Sequence, residues 1–201
     1  MKKSTLLLIV IGSLLGIIIL IGLIIGGTYI SRFNKIKVME GEIEGQWANV
    51  ETSYQRRLDL IPNLVNTVKG YADFEKETLT QVIEARSKAT AVTINPSNMN
   101  QASFQQFQQS QGALSSALSR LMVVVEKYPD LKANQNFLQL QAQLEGTENR
   151  ISVERRKYNE VVKVYNIFIS KFFQKIFFPG KEKKDYFEAE EKAAKAPTVQ
   201  F

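Results

Sequence analysis

The 201 residues contain no cysteine and no histidine. Without thiols there is no disulfide framework, no thiolate nucleophile and no Cys-ligated zinc or iron–sulfur cluster. Without imidazoles there is no Ser-His or Cys-His nucleophile system, no His-bound metal and no di-iron site of the Glu-x-x-His type. Proline and glycine are scarce, at 5 and 11 residues, too few for an all-β domain of this length. After residue 31 no Asn-Gly or Asp-Gly separates alternating runs, and no βαβ alternation occurs. Charge of one sign is not in large excess either. The 26 basic and 20 acidic residues leave +6, which is mild for a nucleic-acid binder and compatible with anionic lipid nearby.

What is present begins with Leu6 to Ile30, 25 residues without a charge. At about 1.5 Å per residue a helix of this length crosses a hydrocarbon core of about 30 Å with some tilt. A cleaved signal peptide has a shorter apolar region and an A-x-A-like site, which Gly26-Gly27-Thr28-Tyr29-Ile30 does not supply. An uncleaved anchor is therefore expected. Lys2 and Lys3 precede the run, and Arg32, Lys35 and Lys37 follow it. That margin of one basic residue points to a cytoplasmic C-terminal domain. Within the anchor, Gly12, Gly16, Gly22 and Gly26 fall inside an arc of roughly 120° at about 100° per residue. Such a glycine face predicts an anchor-mediated homodimer, although glycine is also simply common in membrane helices.

Beyond the anchor the apolar spacing is helical. Ile36, Ile43, Trp47, Val50, Tyr54, Leu58, Ile61, Val65 and Val68 follow the 3–4 rhythm of a buried stripe. Pro62 lies inside it and removes the donor for the Leu58 carbonyl. The stripe continues in phase, which predicts a kink rather than an end, with a weak point at Gly70. A helix is expected from about Phe74 to Ala91, with Leu79, Val82 and Ile83 on its apolar side. A loop follows at Thr93–Asn98, then a helix from about Asn100 to Lys127 with Phe104, Phe107, Leu114, Leu118, Leu121 and Val125 inward. The last helix is expected from Asn134 to Lys175. Phe137, Leu144, Ile151, Tyr158, Tyr165 and Phe172 make one seven-residue seam, and Leu140, Thr147, Glu154, Val161 and Phe168 the second. Pro179-Gly180 breaks the pattern. The charged stretch from Lys181 is expected to be solvated, Ala189–Ala196 to form a short helix, and the final five residues to dock or fray.

These patterns predict an all-α chain: an antiparallel up-and-down bundle of long helices on one N-terminal transmembrane helix. The expected organisation is 1–31 for the anchor segment (helix about 6–30), 32–178 for the bundle and 179–201 for a polar tail.

Three blocks carry a resemblance. They are Tyr54-Gln55-Arg56-Arg57-Leu58-Asp59-Leu60-Ile61-Pro62-Asn63-Leu64-Val65, then Tyr128-Pro129-Asp130-Leu131-Lys132-Ala133-Asn134, and Leu144-Glu145-Gly146-Thr147-Glu148-Asn149-Arg150-Ile151 with Arg155-Arg156-x-Tyr158-Asn159. With one N-terminal anchor, these resemble the LemA family of bacterial membrane proteins over nearly the whole chain. The resemblance implies an antiparallel bundle on a single transmembrane helix in the bacterial cell (inner) membrane. It carries no catalytic residues, cofactor or metal with it. The Phe178-Pro179 close fits the family pattern, but the aromatic stretch before it is unusual.

The candidate site is a polar layer. Tyr54, Arg56, Arg57 and Asp59 interrupt the first stripe, and Glu148, Arg150, Glu154, Arg155 and Asn159 lie midway along the last helix. They form either a charged pocket for an acidic ligand or partner, or a solvated face with a few residues setting register. Glu77 and Glu84 share a helix face, but no neighbour suggests the perturbation that acid/base work needs. The tyrosines at seam positions read as core rather than a base-stacking ladder, and interrupted basic clusters do not make a nucleic-acid interface. Phe172, Phe173, Ile176, Phe177 and Phe178 read equally as a membrane or partner contact and as the closing layer of the core. The expected function is a non-enzymatic, membrane-anchored scaffold that binds the bilayer through its first helix and an unidentified protein through the bundle, without cofactor or nucleic acid. The competing reading is a small-ligand receptor or cofactor-free enzyme built on the Arg/Glu/Tyr cluster.

Overall fold

The computed structural model describes residues 3–71, 75–94 and 100–187, with side chains from residue 8 onward. The expected helix start at Phe74, most of the expected 93–98 loop, the expected short helix at Ala189–Ala196 and the final five residues lie outside this set. The described residues are all-α and form six helices without a strand: α1 (Lys3–Lys69), α2 (Lys76–Ala91), α3 (Gln101–Val125), α4 (Pro129–Lys132), α5 (Gln135–Ile169) and α6 (Phe172–Phe177). They belong to two compact units.

The larger unit comprises residues 42–164 and the segment from Lys184. Its helix directions follow from cross-contacts. Gln46 meets Glu154, Arg57 meets Glu148 and Tyr71 meets Asn134, so the α1 and α5 segments run antiparallel. Trp47 meets Phe104 and Arg57 meets Ser115, so α3 runs with α1. Arg120 meets Gln81 and Lys127 meets Glu75, which sets α2 against α3. The result is an up-down-up-down bundle. The eight stripe residues of this unit, from Ile43 to Val68, are buried, as is Ile36 in the smaller unit. In the bundle core Leu58, Ile61, Leu64, Val65 and Val68 pack with Leu79 and Val82 of α2, Leu114 and Leu121 of α3, Leu131 of α4, and Phe137 and Leu144 of α5. Ile83 departs from expectation and is half-exposed on α2.

Local chemistry explains the element ends. Helix α1 continues through Pro62. The Leu58 carbonyl left without its i+4 donor accepts a hydrogen bond from Arg86 Nε at 2.9 Å instead. Asn100 caps α3 in a reciprocal box with Ser103. Asn134 Oδ1 accepts from the Phe137 amide at 3.1 Å and so caps α5, and its side-chain amide donates to the Tyr71 hydroxyl.

The smaller unit comprises residues 1–41 and 165–183. Here the long last helix ends earlier than its heptads predict, at Ile169 rather than Lys175. The Asn166 carbonyl accepts from both the Ser170 amide (3.1 Å) and the Ser170 hydroxyl (2.6 Å). Such back-bonding competes with continued helix. Lys171 then adopts an extended conformation, φ −66° and ψ 145°, before α6 begins. The seam is lost at this break, leaving Phe172 72% exposed. In the same unit Phe178 is buried, with its ring 5.0 Å from Tyr29 and 6.3 Å from Phe33. Glu40 accepts from Lys181 at 2.6 Å and from Lys37 at 3.1 Å, and the Tyr165 hydroxyl is also bonded to it. Burial opposes ionisation of Glu40, but the two ammonium groups outweigh it and hold its carboxyl below the ordinary range. Burial, with the Glu40 charge adding to it, pushes the Tyr165 hydroxyl up to about 12. The segment of α1 from Leu8 to Ile30 presents its apolar side chains outward, and it is long and apolar enough to cross a membrane.

Candidate functional site

Eight of the nine residues of the expected polar layer divide into three arrangements, all within the bundle unit, and Asp59 joins none of them. The first is centred on Arg57, which is only 2% exposed. Its Nη1 donates to Glu148 at 2.9 Å and to Ser115 Oγ at 2.8 Å, and its Nη2 donates to the Gln111 side-chain oxygen. The guanidinium lies 5.1 Å from the centre of the Tyr54 ring, which in turn packs edge-on to Phe107. One cation thus ties α1, α3 and α5 together. Charge-assisted hydrogen bonds of this kind are worth roughly twice neutral ones. Gln111 and Ser115 are the members that sequence reasoning did not find. Their signal was weak: both lie in a Gln/Ser-rich helix where many polar residues are equivalent in pattern.

The second arrangement is an open groove of about 530 Å³ between α1 and α5. Asn49, Thr52, Ser53 and Arg56 form one wall, and Gln143, Gly146, Thr147, Arg150, Glu154 and Lys157 the other. It holds three cations against one acid. Glu154 is buried at a seam position and its carboxylate is fully engaged. It accepts from Gln46 at 2.8 Å, pairs with Lys157 at 3.2 Å and lies 3.4 Å from Arg150 Nε. The Gln46 hydrogen bond, against the opposing effect of burial and with help from Lys157 and Arg150, keeps its carboxyl below the ordinary 4.5. Arg56 is exposed on the opposite wall. It does not join Arg57 in the interior. Asp59 also stays outside, accepting from Gln55 one turn earlier on its own helix at 2.8 Å. The expectation that Arg56, Arg57 and Asp59 would all meet the α5 charges inside the bundle therefore reduces to Arg57 alone. The reason is geometric: adjacent residues on a helix point about 100° apart, so one stripe cannot take both arginines.

The third arrangement gathers around Phe187. The stretch from Lys181 was expected to be solvated, yet Phe187 is 5% exposed. Its ring stacks on Trp47 at 5.9 Å and contacts Phe104 at 4.8 Å and Tyr158 at 5.4 Å. Asn159 holds its backbone from both sides. The Asn159 amide donates to the Phe187 carbonyl at 2.9 Å, and its oxygen accepts from the Phe187 amide at 2.8 Å. The Arg155 guanidinium covers the outer face of the ring at 4.9 Å. Burial, with a smaller contribution from the Asp185 charge, pushes the Tyr158 hydroxyl above its ordinary value. Arg155 and Asn159 thus clamp the chain's own C-terminal segment instead of joining the Arg57 cluster.

The anchor glycines Gly12, Gly16, Gly22 and Gly26 lie on the open surface of α1, where, apart from the adjacent backbone of the helix itself, no described residue comes within 4 Å of where a Cβ would stand.

The three arrangements draw residues from two of the blocks quoted above, and the comparisons fall on the same region. The LemA family model matches residues 46–201. Protein LemA of Metamycoplasma hominis is 26% identical over 145 residues, covering 72% of this chain and 63% of that protein. Magnetosome protein MamQ 2 of Paramagnetospirillum magneticum is 26% identical over 192 residues, covering 86% of this chain and 70% of that protein. Magnetosome protein MamQ of Magnetospirillum gryphiswaldense is 24% identical over 163 residues, covering 72% and 60%. The chain thus spans less than two thirds of the LemA relative. With a matched region that takes in both walls of the groove and the Phe187 clamp, the chain belongs to the LemA family and is a membrane-associated helical protein.

Proposed function

We propose that this chain is a non-enzymatic scaffold, anchored in the bacterial inner membrane by the first part of α1, that binds an acidic segment of a protein partner in the α1–α5 groove. The observation that carries this reading is the groove itself: about 530 Å³, open to solvent, with Arg56 and Arg150 exposed on opposite walls. Guanidinium groups facing each other across a cleft suit bidentate recognition of carboxylates. Glu154 is already satisfied from three directions, so it does not need Arg56 as a partner. The enzyme reading gains no support from the titrating carboxylates. Glu40 and Glu154 are both held below their ordinary range, whereas a general acid needs a carboxyl raised toward neutrality.

The test is a double charge reversal, Arg56→Glu with Arg150→Glu, in the full-length protein. Both side chains are exposed, so thermal melts should shift only slightly, by about 1 kcal/mol where Arg150 no longer offsets Glu154. Affinity purification from detergent-solubilised membranes, followed by mass spectrometry, should then lose the proteins that the unaltered chain retains. An unchanged set of retained proteins would remove the groove from consideration as the binding surface.

A further inference from the structure

Helix α6 carries an apolar face that no described residue covers. Phe172, Phe173 and Ile176 are 72%, 59% and 56% exposed. At about 100° per residue they fall within one arc of roughly 100°, while Gln174 and Phe178 lie on the opposite side and are buried. Two phenylalanines and an isoleucine presented together to water are unfavourable by the area rule. Exposed patches of this kind mark a contact surface.

The surroundings of α6 within its own unit indicate what that contact is. The ring of Tyr29 stacks on Phe178 at 5.0 Å and meets Phe177 edge-on at 6.2 Å. Tyr29 is the next-to-last residue of the uncharged run Leu6–Ile30. Tyrosines at this position of a membrane-crossing helix sit at headgroup level. The next charges on α1 are Arg32, Lys35 and Lys37, which mark where it enters water. The carboxyl end of α6 is thus fixed beside the depth at which α1 leaves the hydrocarbon. Its exposed face is apolar, as is the outward-facing surface of Leu8–Ile30. Lys171 and Lys175 flank that face, and neither is consumed by a carboxylate in the described structure, whereas the neighbouring Lys181 is paired with Glu40. Lysines beside an apolar helical face reach phosphates while their stems stay with the acyl boundary.

We propose that α6 is an interfacial helix, with Phe172, Phe173 and Ile176 seated in the headgroup–acyl boundary of the bilayer alongside the exit point of α1. The lipid surface is its occupant. The break at Ser170–Lys171 then has a purpose. A continuous heptad helix would have carried Phe172 onward along the seam, whereas the extended Lys171 lets the chain turn and lay its aromatic residues beside Tyr29. The anchor and α6 together hold the chain to the bilayer at two places on one compact unit, and this restricts the tilt of the unit as a single helix does not.

The absence of cysteine makes a direct test simple. Single cysteines are introduced at exposed positions of the full-length protein as Phe173→Cys, Ile176→Cys and, as an aqueous reference, Glu160→Cys. Each variant is spin-labelled and reconstituted in phosphatidylcholine–phosphatidylglycerol vesicles. Collision rates with oxygen and with a water-soluble nickel chelate report depth. Labels at 173 and 176 are expected to favour oxygen and to read about 5–10 Å into the boundary, while the label at 160 favours the chelate. Either α6 label reading as aqueous as the one at 160 would overturn the proposal. So would protection of both α6 labels from both reagents, because a protein surface would then be the occupant. Spin–spin broadening in that case would identify a second copy of this chain.

Discussion

The two compact units treat buried polarity differently. In the bundle unit, most of the polar groups that interrupt the apolar stripes have partners, and among the described residues only single atoms, Arg57 Nε and Trp47 Nε1, are buried without one. Arg57 binds Glu148, Ser115 and Gln111, and Glu154 binds Gln46, Lys157 and Arg150. Even the carbonyl left open by Pro62 is answered by Arg86. In the unit formed by residues 1–41 and 165–183, Gln174 is 1% exposed and neither atom of its side-chain amide has a hydrogen-bond partner among the described residues. That unit also leaves Phe172, Phe173 and Ile176 more than half exposed, while Phe168 and Phe178 are buried. A domain that folds in water must satisfy its interior and cover its apolar surface. A unit that folds against lipid is relieved of the second requirement.

The comparison breaks first at Arg57. If the bundle depends on its satisfied polar layer, Arg57→Ala should destabilise the full-length protein by about 3–5 kcal/mol in denaturant melts, because Gln111 is left buried without its donor and a large side chain's volume is lost. The adjacent Arg56→Ala, on the exposed groove wall, should change stability by about 0–1 kcal/mol. Equal effects at the two positions would mean that the division between interior and groove is wrong.

Phe187 tests whether the segment beyond Lys184 is a structural part of the bundle. Phe187→Ala removes a ring packed among Trp47, Phe104 and Tyr158 and should cost about 3 kcal/mol. Asn159→Ala leaves the ring but frees its backbone, for a loss of about 1–2 kcal/mol. A melt indifferent to both changes would make the segment a dispensable strap.

The smaller coupling lies between Pro62 and Arg86. Arg86→Ala in the unaltered chain strands the Leu58 carbonyl and should cost about 1–2 kcal/mol. In a Pro62→Ala background residue 62 regains its amide donor, so the same Arg86 change should cost less, with a coupling of about 1 kcal/mol in the double-mutant cycle. Strict additivity would show that Arg86 acts elsewhere.

How much of this was legible in the sequence follows the same division. The stripe from Ile36 to Val68 and the seam from Phe137 to Tyr165 were readable because helical burial repeats at 3–4 residues, and each of those positions is buried. Pro62 was readable as an interior proline because the stripe kept its phase beyond it. The donor that compensates it was not, since Arg86 reaches back from another helix. The break at Ser170 was hidden by a heptad that runs on through Phe172. At the break Ser170 bonds its own i−4 carbonyl, a bond that Ser53 and Ser119 also make inside helices that continue, so no period or residue type marks the stop. In the polar layer, the pairing of the Arg-Arg block with the Glu148 block was legible from their matching depth. Which of Arg56 and Arg57 turns inward follows from the same stripe, since at about 100° per residue Arg57 lies about 60° from Tyr54 and Arg56 about 160° from it. Phe187 was missed because one aromatic residue among lysines and acids carries no period.

The smallest effect sharpens the comparison from the other side. Gln174→Leu replaces a buried, unpartnered amide by an apolar side chain of similar volume. An unmade hydrogen bond costs about 1–3 kcal/mol relative to a satisfied group, and its removal without a cavity recovers part of that. If the contact under α6 is dry, the variant should be stabilised by about 1 kcal/mol, seen as a higher melting temperature of the full-length protein in nanodiscs. Bundle substitutions of the same kind should do the reverse: Gln111→Leu removes an acceptor from Arg57 and should destabilise by about 2–3 kcal/mol. Opposite signs for two glutamine-to-leucine changes, in the same protein under the same conditions, would show that only the bundle is organised around its buried polar groups. A loss at Gln174 as well would mean that its amide meets water or phosphate at the bilayer surface, and the underside of α6 would then be a wet contact.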